Sequence, residues 1–394
     1  MPDISILYDQ SETDELGIRL TASEMGIELG YIPFYKSAFT FDNHDYSLRT
    51  TGKDYSAELK NTRVVLNRCQ SKNRRILGTA ILESRGKYTI NPLSIEENCQ
   101  SKLKTLLRFS VEGIKIPKTT YASPNAREPI EHDRYVDNTK AIVFLLEDGL
   151  GSDRIVVKPD AGSHGNGVAL SDNREELMRL LGKVEQGITN PSGVLGQELI
   201  EKWFYDLRII VVKKKGEKPV CHMDALARGG FKEFRTNTFL GNMVVRARLP
   251  ESVMRTAERC AEILAQGACS YVVALDAMPS IGSELMGGEE ELRESFMNLE
   301  NPFSKVSAVK KMKDKKTRFE EYTEAINEAY GSYMDTDAYR YIEGVVNNTL
   351  KATAENVVFH EGNACPEFWE QTRIIAGLNL AVDFLECGES LLDR

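Results

Sequence analysis

The chain has 394 residues, which is long enough to bury a large core and favours two or three domains. Its formal net charge of -9, from 59 acidic and 50 basic residues, argues against a general nucleic-acid-binding protein, so no nucleic acid is expected as a partner. The absence of a secretory leader, of a membrane-spanning run and of any C-x-x-C pair predicts a cytoplasmic protein with reduced thiols and no membrane partner.

The N-terminal part of the chain alternates strand-like and helix-like segments. Strands are predicted at residues 3–8, 30–35, 63–67 and 88–92, and a helix is predicted at residues 13–29. This alternation predicts a parallel sheet covered by helices. Asn67, Arg68, Arg74 and Arg75 follow the third strand, at the end where such sheets gather their ligands. Solvated loop arginines are an equally good interpretation of the same residues.

One helix is predicted from residue 95 to residue 113, and it carries Lys102. The spacing favours a lysine on the surface of this helix, whereas the alternative is a cation that faces a phosphate group. Residues 115–195 then alternate helices and short strands, which predicts a small α+β lid.

A strand, a glycine loop and a second short strand are predicted within residues 154–170. Gly162, Gly165 and Gly167 lack a Cβ, so consecutive N–H groups can turn toward an anion such as phosphate. Lys158, on the first strand, would supply a positive charge. The order Gly-x-x-Gly-x-Gly is neither of the common nucleotide-binding signatures. The glycines alone therefore support a flexible hairpin as well as a phosphate lid.

The second half of the chain is predicted to form an antiparallel sheet that is interrupted by one long helical segment. Strands are predicted at residues 207–212, 220–225, 242–248, 271–276 and 356–366, and helices at residues 251–267 and 371–385. Residues 280–352 differ in composition and predict an inserted helical segment. Its lysine-rich run at residues 310–318 is interpreted either as a solvated helix face or as a dock for an acidic partner.

Three oxygen-bearing side chains lie on the strands of this half. A period of two places Glu361 and Asn363 on one face of the last strand and His360 on the opposite face. Asp276 ends another apolar strand, and its carboxylate would join them if the two strands are neighbours. Such hard donors suit Mg²⁺ that is shared with nucleotide phosphates, although polar residues at strand ends are the simpler interpretation of each alone.

An ordered set of short motifs runs along most of the chain. Its members are Asn91-Pro92, Lys102-x-x-Thr105, Ile116-Pro-Lys-Thr119, Val157-Lys-Pro159, Gly162-Ser-His-Gly-Asn-Gly-Val168, Gln197-Glu-Leu-Ile200, Asp206-Leu-Arg208, Arg228, Phe234-Arg-Thr-Asn237, Asp276 and Glu361-x-Asn363-Ala-x-Pro366. The set resembles that of the RimK-type branch of the ATP-grasp carboxylate–amine ligases, the alpha-L-glutamate ligase and LysX-like family. The chain resembles the lysine and arginine carrier-protein ligases about as closely, especially at Leu66-Asn-Arg68 and Arg74.

Two features depart from the family pattern. Asp276 and Glu361 are separated by 85 positions, where relatives join the two strands by a short turn. Glu367 stands where many relatives have glycine. Both departures lie on the acceptor side of the expected site.

The resemblance implies a fold that combines α/β and α+β parts, the ATP-grasp fold. Residues 1–97 would form a Rossmann-like pre-ATP-grasp domain, and residues 98–195 a linker helix and the lid subdomain. Residues 196–394 would form an antiparallel-sheet catalytic subdomain, with residues 280–352 as its helical insertion.

The resemblance also implies roles for individual residues. ATP would be bound by Lys102, Lys158, Gly162, Ser163, His164, Gly165, Asn166, Gly167, Glu198, Leu199, Asp206, Arg228, Arg235, Thr236 and Asn237. Among these, Arg228, Arg235 and Asn237 would face the γ-phosphate and act in catalysis. Asp276, Glu361 and Asn363 would bind one or two Mg²⁺, with Mn²⁺ as an alternative metal.

The expected activity is an ATP- and Mg²⁺-dependent ligase. It would activate a carboxylate as an acyl phosphate and join it to the amino group of an amino acid, with glutamate as the leading candidate, releasing ADP and phosphate. The partners would be a small-molecule, peptide or protein carboxylate and an amino acid, and the family also leaves a homo-oligomer as an option. The alternatives are a ligase that modifies a ribosomal peptide or carrier protein, and an ATP-binding regulatory or scaffold protein.

Overall fold

The computed structural model describes residues 2–10, 12–42, 45–122, 129–130, 134–135, 139–152, 154–160, 162, 167–181, 194–232, 234–236 and 242–392. In these parts of the chain, three larger sheets and two short hairpins are present. No helix among them is both long and apolar enough to cross a lipid bilayer.

A parallel four-stranded sheet, in the order β2-β1-β5-β6, forms the N-terminal part. Its elements are β1 (Ile4–Tyr8), α1 (Thr13–Met25), β2 (Leu29–Pro33), β3 (Ser37–Phe41), β4 (Tyr46–Thr50), α2 (Ser56–Asn61), β5 (Val64–Asn67), α3 (Lys72–Glu83) and β6 (Tyr88–Ile90). The predicted strand-helix alternation is thus confirmed, and the β3–β4 hairpin is an addition that the sequence did not predict. Val64, Val65 and Leu66 are fully buried, as expected for a strand covered on both faces.

Two helices, α4 (Leu93–Gln100) and α5 (Lys102–Val111), replace the single helix predicted from residue 95 to residue 113. The break is at Ser101, whose backbone is extended with φ −105° and ψ 122°. Its hydroxyl accepts from the Lys104 N–H at 3.0 Å, which caps α5, and donates to Asp160 Oδ1 at 2.8 Å. The periodicity of an amphipathic helix does not reveal such a stop, because the apolar spacing continues across it.

An antiparallel four-stranded sheet, in the order β11-β10-β12-β7, forms the middle part. Its elements and their neighbours are β7 (Thr119–Ala122), β8 (Pro129–Ile130), β9 (Arg134–Tyr135), α6 (Thr139–Leu150), β10 (Ile155–Pro159), β11 (Ala169–Ser171), α7 (Arg174–Leu181) and β12 (Val194–Glu198). The predicted hairpin around Lys158 is therefore present, because β10 pairs with β11. The predicted domain boundaries at residues 97 and 195 stay predictions.

An antiparallel six-stranded sheet forms the C-terminal part, in the order β16-β15-β13-β17-β18 with β14 beside β13. Its elements are β13 (Tyr205–Lys213), β14 (Val220–Cys221), β15 (Asp224–Gly229), β16 (Met243–Arg248), α8 (Glu251–Ala265), β17 (Tyr271–Pro279), α9 (Glu289–Lys310), α10 (Phe319–Met334), α11 (Asp337–Ala352), β18 (Val357–Asn363), α12 (Gln371–Ile375) and α13 (Leu380–Leu392). The single helix predicted at residues 371–385 is wrong, since Gly377 adopts φ 70° between α12 and α13.

The inserted helices α9, α10 and α11 belong to the main hydrophobic core. Their apolar faces are fully buried with the strands of the six-stranded sheet, at Leu292, Leu299, Val306, Tyr322, Ile326, Tyr330, Val346 and Leu350. The Tyr333 hydroxyl donates to the Val244 carbonyl on β16 at 3.0 Å, which fixes the insertion on the sheet. The insertion is therefore an integral layer of this part of the molecule.

We expect Gly17→Ala to lower the free energy of unfolding by about 1–2 kcal/mol, as measured by urea denaturation. Gly17 lies on α1, and an added Cβ would overlap the buried Trp369 ring. This overlap should outweigh the gain in helix propensity, which is roughly 1 kcal/mol.

The matched control is Gly344→Ala on α11, where no heavy atom lies within 4 Å of the added carbon. This variant should be neutral or more stable by up to about 1 kcal/mol. Equal effects of the two substitutions would contradict the close packing of α1 on Trp369.

Candidate active site

One cavity of about 970 Å³ is lined by residues of all three larger sheets or of the loops beside them. Lys158 lies on β10, Asp206 on β13, Asp276 on β17 and Glu361 on β18, and the loop after β5 adds Ser71. The volume is at the upper end of the range of small-molecule sites. The cavity therefore has room for a nucleotide and a second substrate.

The predicted metal-binding residues are brought together by the pairing of β17 with β18. Asp276 lies directly opposite Glu361 in the antiparallel register, and Asn363 lies opposite Ala274. All three predicted side chains line the cavity. The 85 intervening positions thus do not separate them in space, because the insertion returns the chain to the neighbouring strand.

A β-bulge changes the orientation expected for His360. The register shifts between Asp276 and Ala277, so that Ala277 pairs with Phe359 and His360 is the extra residue. His360 lines the cavity together with Glu361, and the prediction that it faces the opposite side of the strand is wrong. Its Nε2 is buried and finds no hydrogen-bond partner within the described residues. Burial lowers the pKa of His360 to about 4, so the ring is neutral at pH 7.

Two arginines hold Asp276 in place. Arg208 donates to both carboxylate oxygens, from Nε at 2.8 Å and from Nη2 at 3.0 Å, and Arg228 Nη2 lies 3.3 Å from Oδ1. Although burial acts to raise it, these guanidinium groups hold the pKa of Asp276 below its usual range. Asp276 is therefore a fixed anion, and Arg208 is a site residue to which the sequence analysis gave no role.

The same network continues to Asp206. Arg228 Nε donates to Asp206 Oδ1 at 2.8 Å, and the Thr236 hydroxyl donates to Oδ2 at 2.6 Å. Lys202 Nζ in turn donates to Thr236 Oγ1 at 2.7 Å. Burial lowers the pKa of Lys202 to about 8. Lys202 was missed because a lysine that follows a strand by a few residues carries no recognisable spacing.

Glu361 faces two further lysines. Its Oε1 lies 3.6 Å from Lys102 Nζ and 3.9 Å from Lys72 Nζ, and both ammonium groups donate to the Gly162 carbonyl at 3.2 Å. Burial acts to raise the pKa of Glu361, but Lys102 and Lys72 lower it. Lys102 is buried, so its interpretation as a surface lysine is wrong.

Lys158 projects into the cavity from β10. Burial lowers the pKa of its ammonium to about 8. Within the described part of the chain, no carboxylate lies within 4.0 Å of it. Such a half-buried cation on a cavity wall is a candidate binding site for an anion.

The remaining predicted residues are distributed as follows. Glu198, Leu199, Gly162, Arg235 and Thr236 line the cavity. Gly167, with φ 73°, lies against Pro159 at the end of the glycine loop. Ser163, His164, Gly165, Asn166 and Asn237 lie outside the described residues.

A buried ion cluster beside the cavity fixes the loop that follows β18. Arg68 Nη2 lies 3.1 Å from Asp14 Oδ2 and donates to the Pro366 carbonyl at 3.2 Å, while Arg68 Nε lies 3.4 Å from Glu15 Oε1. Asp14 Oδ1 accepts from the N–H groups of Phe368 and Trp369 at 3.1 and 2.8 Å. The loop that follows β18 is thus held by helix α1 and by Arg68.

The arginines after β5 are therefore of two kinds. Arg68 and Arg75 are buried, and Arg75 pairs with Glu96 at 2.8 Å, so the solvated interpretation is wrong for both. Arg74 is partly exposed and pairs with Asp9 at 2.9 Å.

Comparison with known proteins shows what this chain resembles. The family model of the RimK-like ATP-grasp domain matches residues 100–279. The chain is 26% identical over 262 residues to the alpha-aminoadipate–LysW ligase LysX of Sulfurisphaera tokodaii. The matched segment covers 66% of this chain and 81% of that protein. It is 29% identical over 177 residues to a probable alpha-L-glutamate ligase of Legionella pneumophila, which covers 44% of this chain but only 51% of that protein.

A solved structure extends the likeness in fold to nearly the whole chain. The structure of the ATP-grasp ligase PsnB complexed with minimal precursor matches 98% of each chain with a TM-score of 0.53 and 11% identity. The molecule thus has the ATP-grasp fold, which confirms the predicted fold class. Residues 100–279 therefore match a RimK-like ATP-grasp domain, and the chain is similar to RimK-type ligases such as LysX.

The residues present fit Mg²⁺ and ATP. Lys158 offers an ammonium without a counter-ion, and Arg228 Nη2 is buried without a hydrogen bond in the described structure. Glu361 and Asn363 offer oxygen ligands beside these cations. In the described residues, no three histidine, cysteine or acidic side chains form a closed metal cage. Carboxylate and amide oxygens are ligands that Mg²⁺ accepts together with substrate phosphates.

We expect Arg68→Met to lower the free energy of unfolding by about 3–5 kcal/mol at pH 8, because Asp14 and Glu15 would stay buried without a cation. Burial raises the pKa of Asp14 to about 7 and also raises that of Glu15. Carboxyls with a raised folded-state pKa destabilise the fold increasingly as pH rises through that value. Urea denaturation should therefore find a smaller loss at pH 5.5 than at pH 8.

The control is Arg49→Met, which removes the exposed ion pair with Asp54. It should change stability by less than about 1 kcal/mol at both pH values. A loss from Arg68→Met that is small, or that grows on acidification, would contradict the role assigned to the cluster.

Proposed function

We propose that the chain is an ATP- and Mg²⁺-dependent ligase that joins a carboxylate to the amino group of an amino acid and releases ADP and phosphate. The observation that carries this proposal is the position of Lys158, a half-buried cation with no carboxylate within 4.0 Å in the described residues, in the same cavity as the facing carboxylates Asp276 and Glu361. Such an arrangement suits a triphosphate with its metal better than it suits a neutral ligand.

The proposed reaction has two chemical steps. A substrate carboxylate oxygen attacks the γ-phosphorus, the bond from this phosphorus to the bridging oxygen of ADP breaks, and an acyl phosphate forms. The amine nitrogen then attacks the acyl carbon, the bond to the phosphate oxygen breaks, and the amine loses a proton. Both steps build negative charge on oxygen, so the site needs cations and N–H donors more than a protein nucleophile.

The chain's own residues have separate roles in this proposal. Lys102 and Lys158 would bind the phosphates, and Arg228 and Arg235 would stabilise the charge that develops around the γ-phosphate. Asp276, Glu361 and Asn363 would hold Mg²⁺, which supplies charge neutralisation when bound. Glu198 and Leu199, at the end of β12, would receive the adenosine part, while Asp206 keeps Arg228 oriented through the 2.8 Å hydrogen bond.

The nature of the two substrates is a finer part of the proposal. The names of the two relatives, a probable alpha-L-glutamate ligase and an alpha-aminoadipate–LysW ligase, support an acidic amino acid and a carboxylate on a small molecule, peptide or carrier protein. Glutamate is the leading amino acid. The buried packing of the insertion gives no support to the alternative of a scaffold protein with an appended binding segment.

We expect ADP and phosphate to be released only when both a carboxylate substrate and an amino acid are present. Cell extract with labelled glutamate can supply the acceptor, and mass spectrometry identifies the product by its gain in mass. Asp276→Asn should lower the turnover rate at least about 100-fold, because it removes the negative charge that would bind Mg²⁺ and that pairs with Arg208.

Asp172→Asn is the control, because Asp172 forms an exposed ion pair with Arg154 outside the cavity wall. It should keep full activity. Release of AMP instead of ADP would refute the proposal. Unchanged turnover in Asp276→Asn would also refute it, provided that circular dichroism shows this variant to be folded.

We also expect the affinity for ATP to fall by roughly threefold to tenfold between pH 7.5 and pH 9. Burial lowers the pKa values of Lys158 and Lys202 to about 8, so both ammonium groups lose their charge as pH rises through this range. Lys158→Arg should weaken this dependence, since a guanidinium stays charged. Isothermal titration calorimetry measures the affinities.

The control is Lys104→Arg, an exposed position on α5. It should leave the pH profile of the wild-type protein unchanged. If the ATP affinity of Lys158→Arg falls with pH as steeply as that of the wild type, Lys158 does not bind the phosphates.

A further inference from the structure

The inserted helices contribute one wall of the cavity. Phe303, Ser307 and Lys310 on α9 line it, as do Lys311 and Lys315 in the turn that follows. None of these residues belongs to the motifs that the family shares. The insertion therefore supplies side chains to the site as well as to the core.

This wall is held in a fixed position. Lys310 Nζ lies 2.8 Å from Glu370 Oε2, and the Tyr322 hydroxyl donates to the other Glu370 oxygen. Lys316 Nζ lies 3.1 Å from Glu12 Oε1, just before α1. The end of α9 is thus tied both to the loop that follows β18 and to the N-terminal part of the molecule.

The charges on this wall do not cancel. Lys310 is neutralised by Glu370, and Lys316 by Glu12. Within the described residues, neither Lys311 nor Lys315 has a carboxylate within 4.0 Å. Lys315 Nζ donates to the Lys310 carbonyl at 3.4 Å, lies 5.6 Å from the centre of the Tyr322 ring, and contributes to lowering the pKa of Glu370 without forming an ion pair in the described structure.

One further acidic side chain of the cavity wall has no ion pair within the described residues. It is Glu367, in the loop after β18. Lys311 and Lys315 are thus two cations on the wall of the insertion that form no ion pair within 4.0 Å in the described structure.

One aromatic side chain of the insertion also lines the cavity. Phe303, on α9, is only partly buried. Two ammonium groups and an aromatic ring on the wall of one inserted segment suit a carboxylate on a methylene stem better than a free phosphate, because the stem can bury apolar surface.

We propose that the insertion builds a carboxylate-binding subsite around Lys311 and Lys315, which takes a second acidic group of the substrate, carried on an apolar stem as in a glutamate side chain. This proposal rests on the proposed ligase function, since it describes how that site selects its substrate. It explains why the insertion lies between β17 and β18, since a segment that joins these two strands starts and ends beside the reacting groups.

The test is calorimetric binding of tri-L-glutamate, tri-L-glutamine and free glutamate to the full chain, with and without Mg²⁺ and a non-hydrolysable ATP analogue. The wild-type protein should bind triglutamate at least about tenfold more tightly than triglutamine, and Lys311→Gln with Lys315→Gln should remove this difference. Affinity for the ATP analogue should stay within about twofold, because neither lysine is among the residues proposed to bind phosphate. If free glutamate binds as tightly as triglutamate, the subsite takes a free amino acid. If free glutamate binds more weakly than triglutamate, the subsite takes a peptide.

Lys313→Gln is the matched control, because Lys313 lies in the same turn, is exposed and does not line the cavity. It should bind triglutamate as the wild type does. A double variant with wild-type preference for triglutamate, or a wild-type protein without that preference, would overturn the subsite.

The two proposals fail differently in this experiment. If the ATP analogue does not bind, the ligase function is refuted. The preference for triglutamate over triglutamine then still tests the carboxylate-binding subsite around Lys311 and Lys315. Lys311→Glu with Lys315→Glu provides a second test, since reversal of charge should make tri-L-lysine the preferred peptide. Thermal denaturation of each variant separates loss of the subsite from loss of the fold.

Discussion

The buried pairing of Arg228 with Asp206 and Asp276 is the interaction on which the site depends. One guanidinium lies between two carboxylates on neighbouring strands, and Arg208 and Thr236 complete the hydrogen bonding of those carboxylates. Removal of any one charge would leave another without compensation in a water-poor environment, which is costly. The network therefore holds β13, β15 and β17 in a fixed relation and keeps two anions ionised beside a cavity that is otherwise rich in lysine.

The insertion between β17 and β18 is compatible with this network because it is stabilised by its own core. A long connection adds little to the entropic cost of closing a loop, since that cost grows slowly with length. The buried tyrosine and aliphatic side chains of α9, α10 and α11 then offset the cost of ordering the segment. As a result, Asp276 and Glu361 remain directly opposite each other, as they would be if a short turn joined their strands.

The charge in the cavity is divided among groups with different tasks. Asp206 and Asp276 form short ion pairs with arginines, whereas Glu361 lies at the longer distances of 3.6 and 3.9 Å from Lys102 and Lys72. The lysines of the insertion lie on a separate wall, so nucleotide binding and substrate selection can be carried by different elements of one fold.

The sequence by itself predicted the strand–helix alternation of the N-terminal part, the hairpin around Lys158, and the grouping of Asp276, Glu361 and Asn363, because these depend on local periodicity and on an ordered set of motifs. Only the tertiary structure decided the rest. The bulge that turns His360 into the cavity depends on the register of two strands far apart in the chain, and a shift of one residue reverses the face of every side chain beyond it. The burial of Lys102, Arg68 and Arg75, and the contribution of Lys311 and Lys315 to the wall, depend on contacts between distant segments. Local spacing carries no information about which remote charge or ring will face a given lysine, and for that physical reason these positions could not be assigned from the sequence.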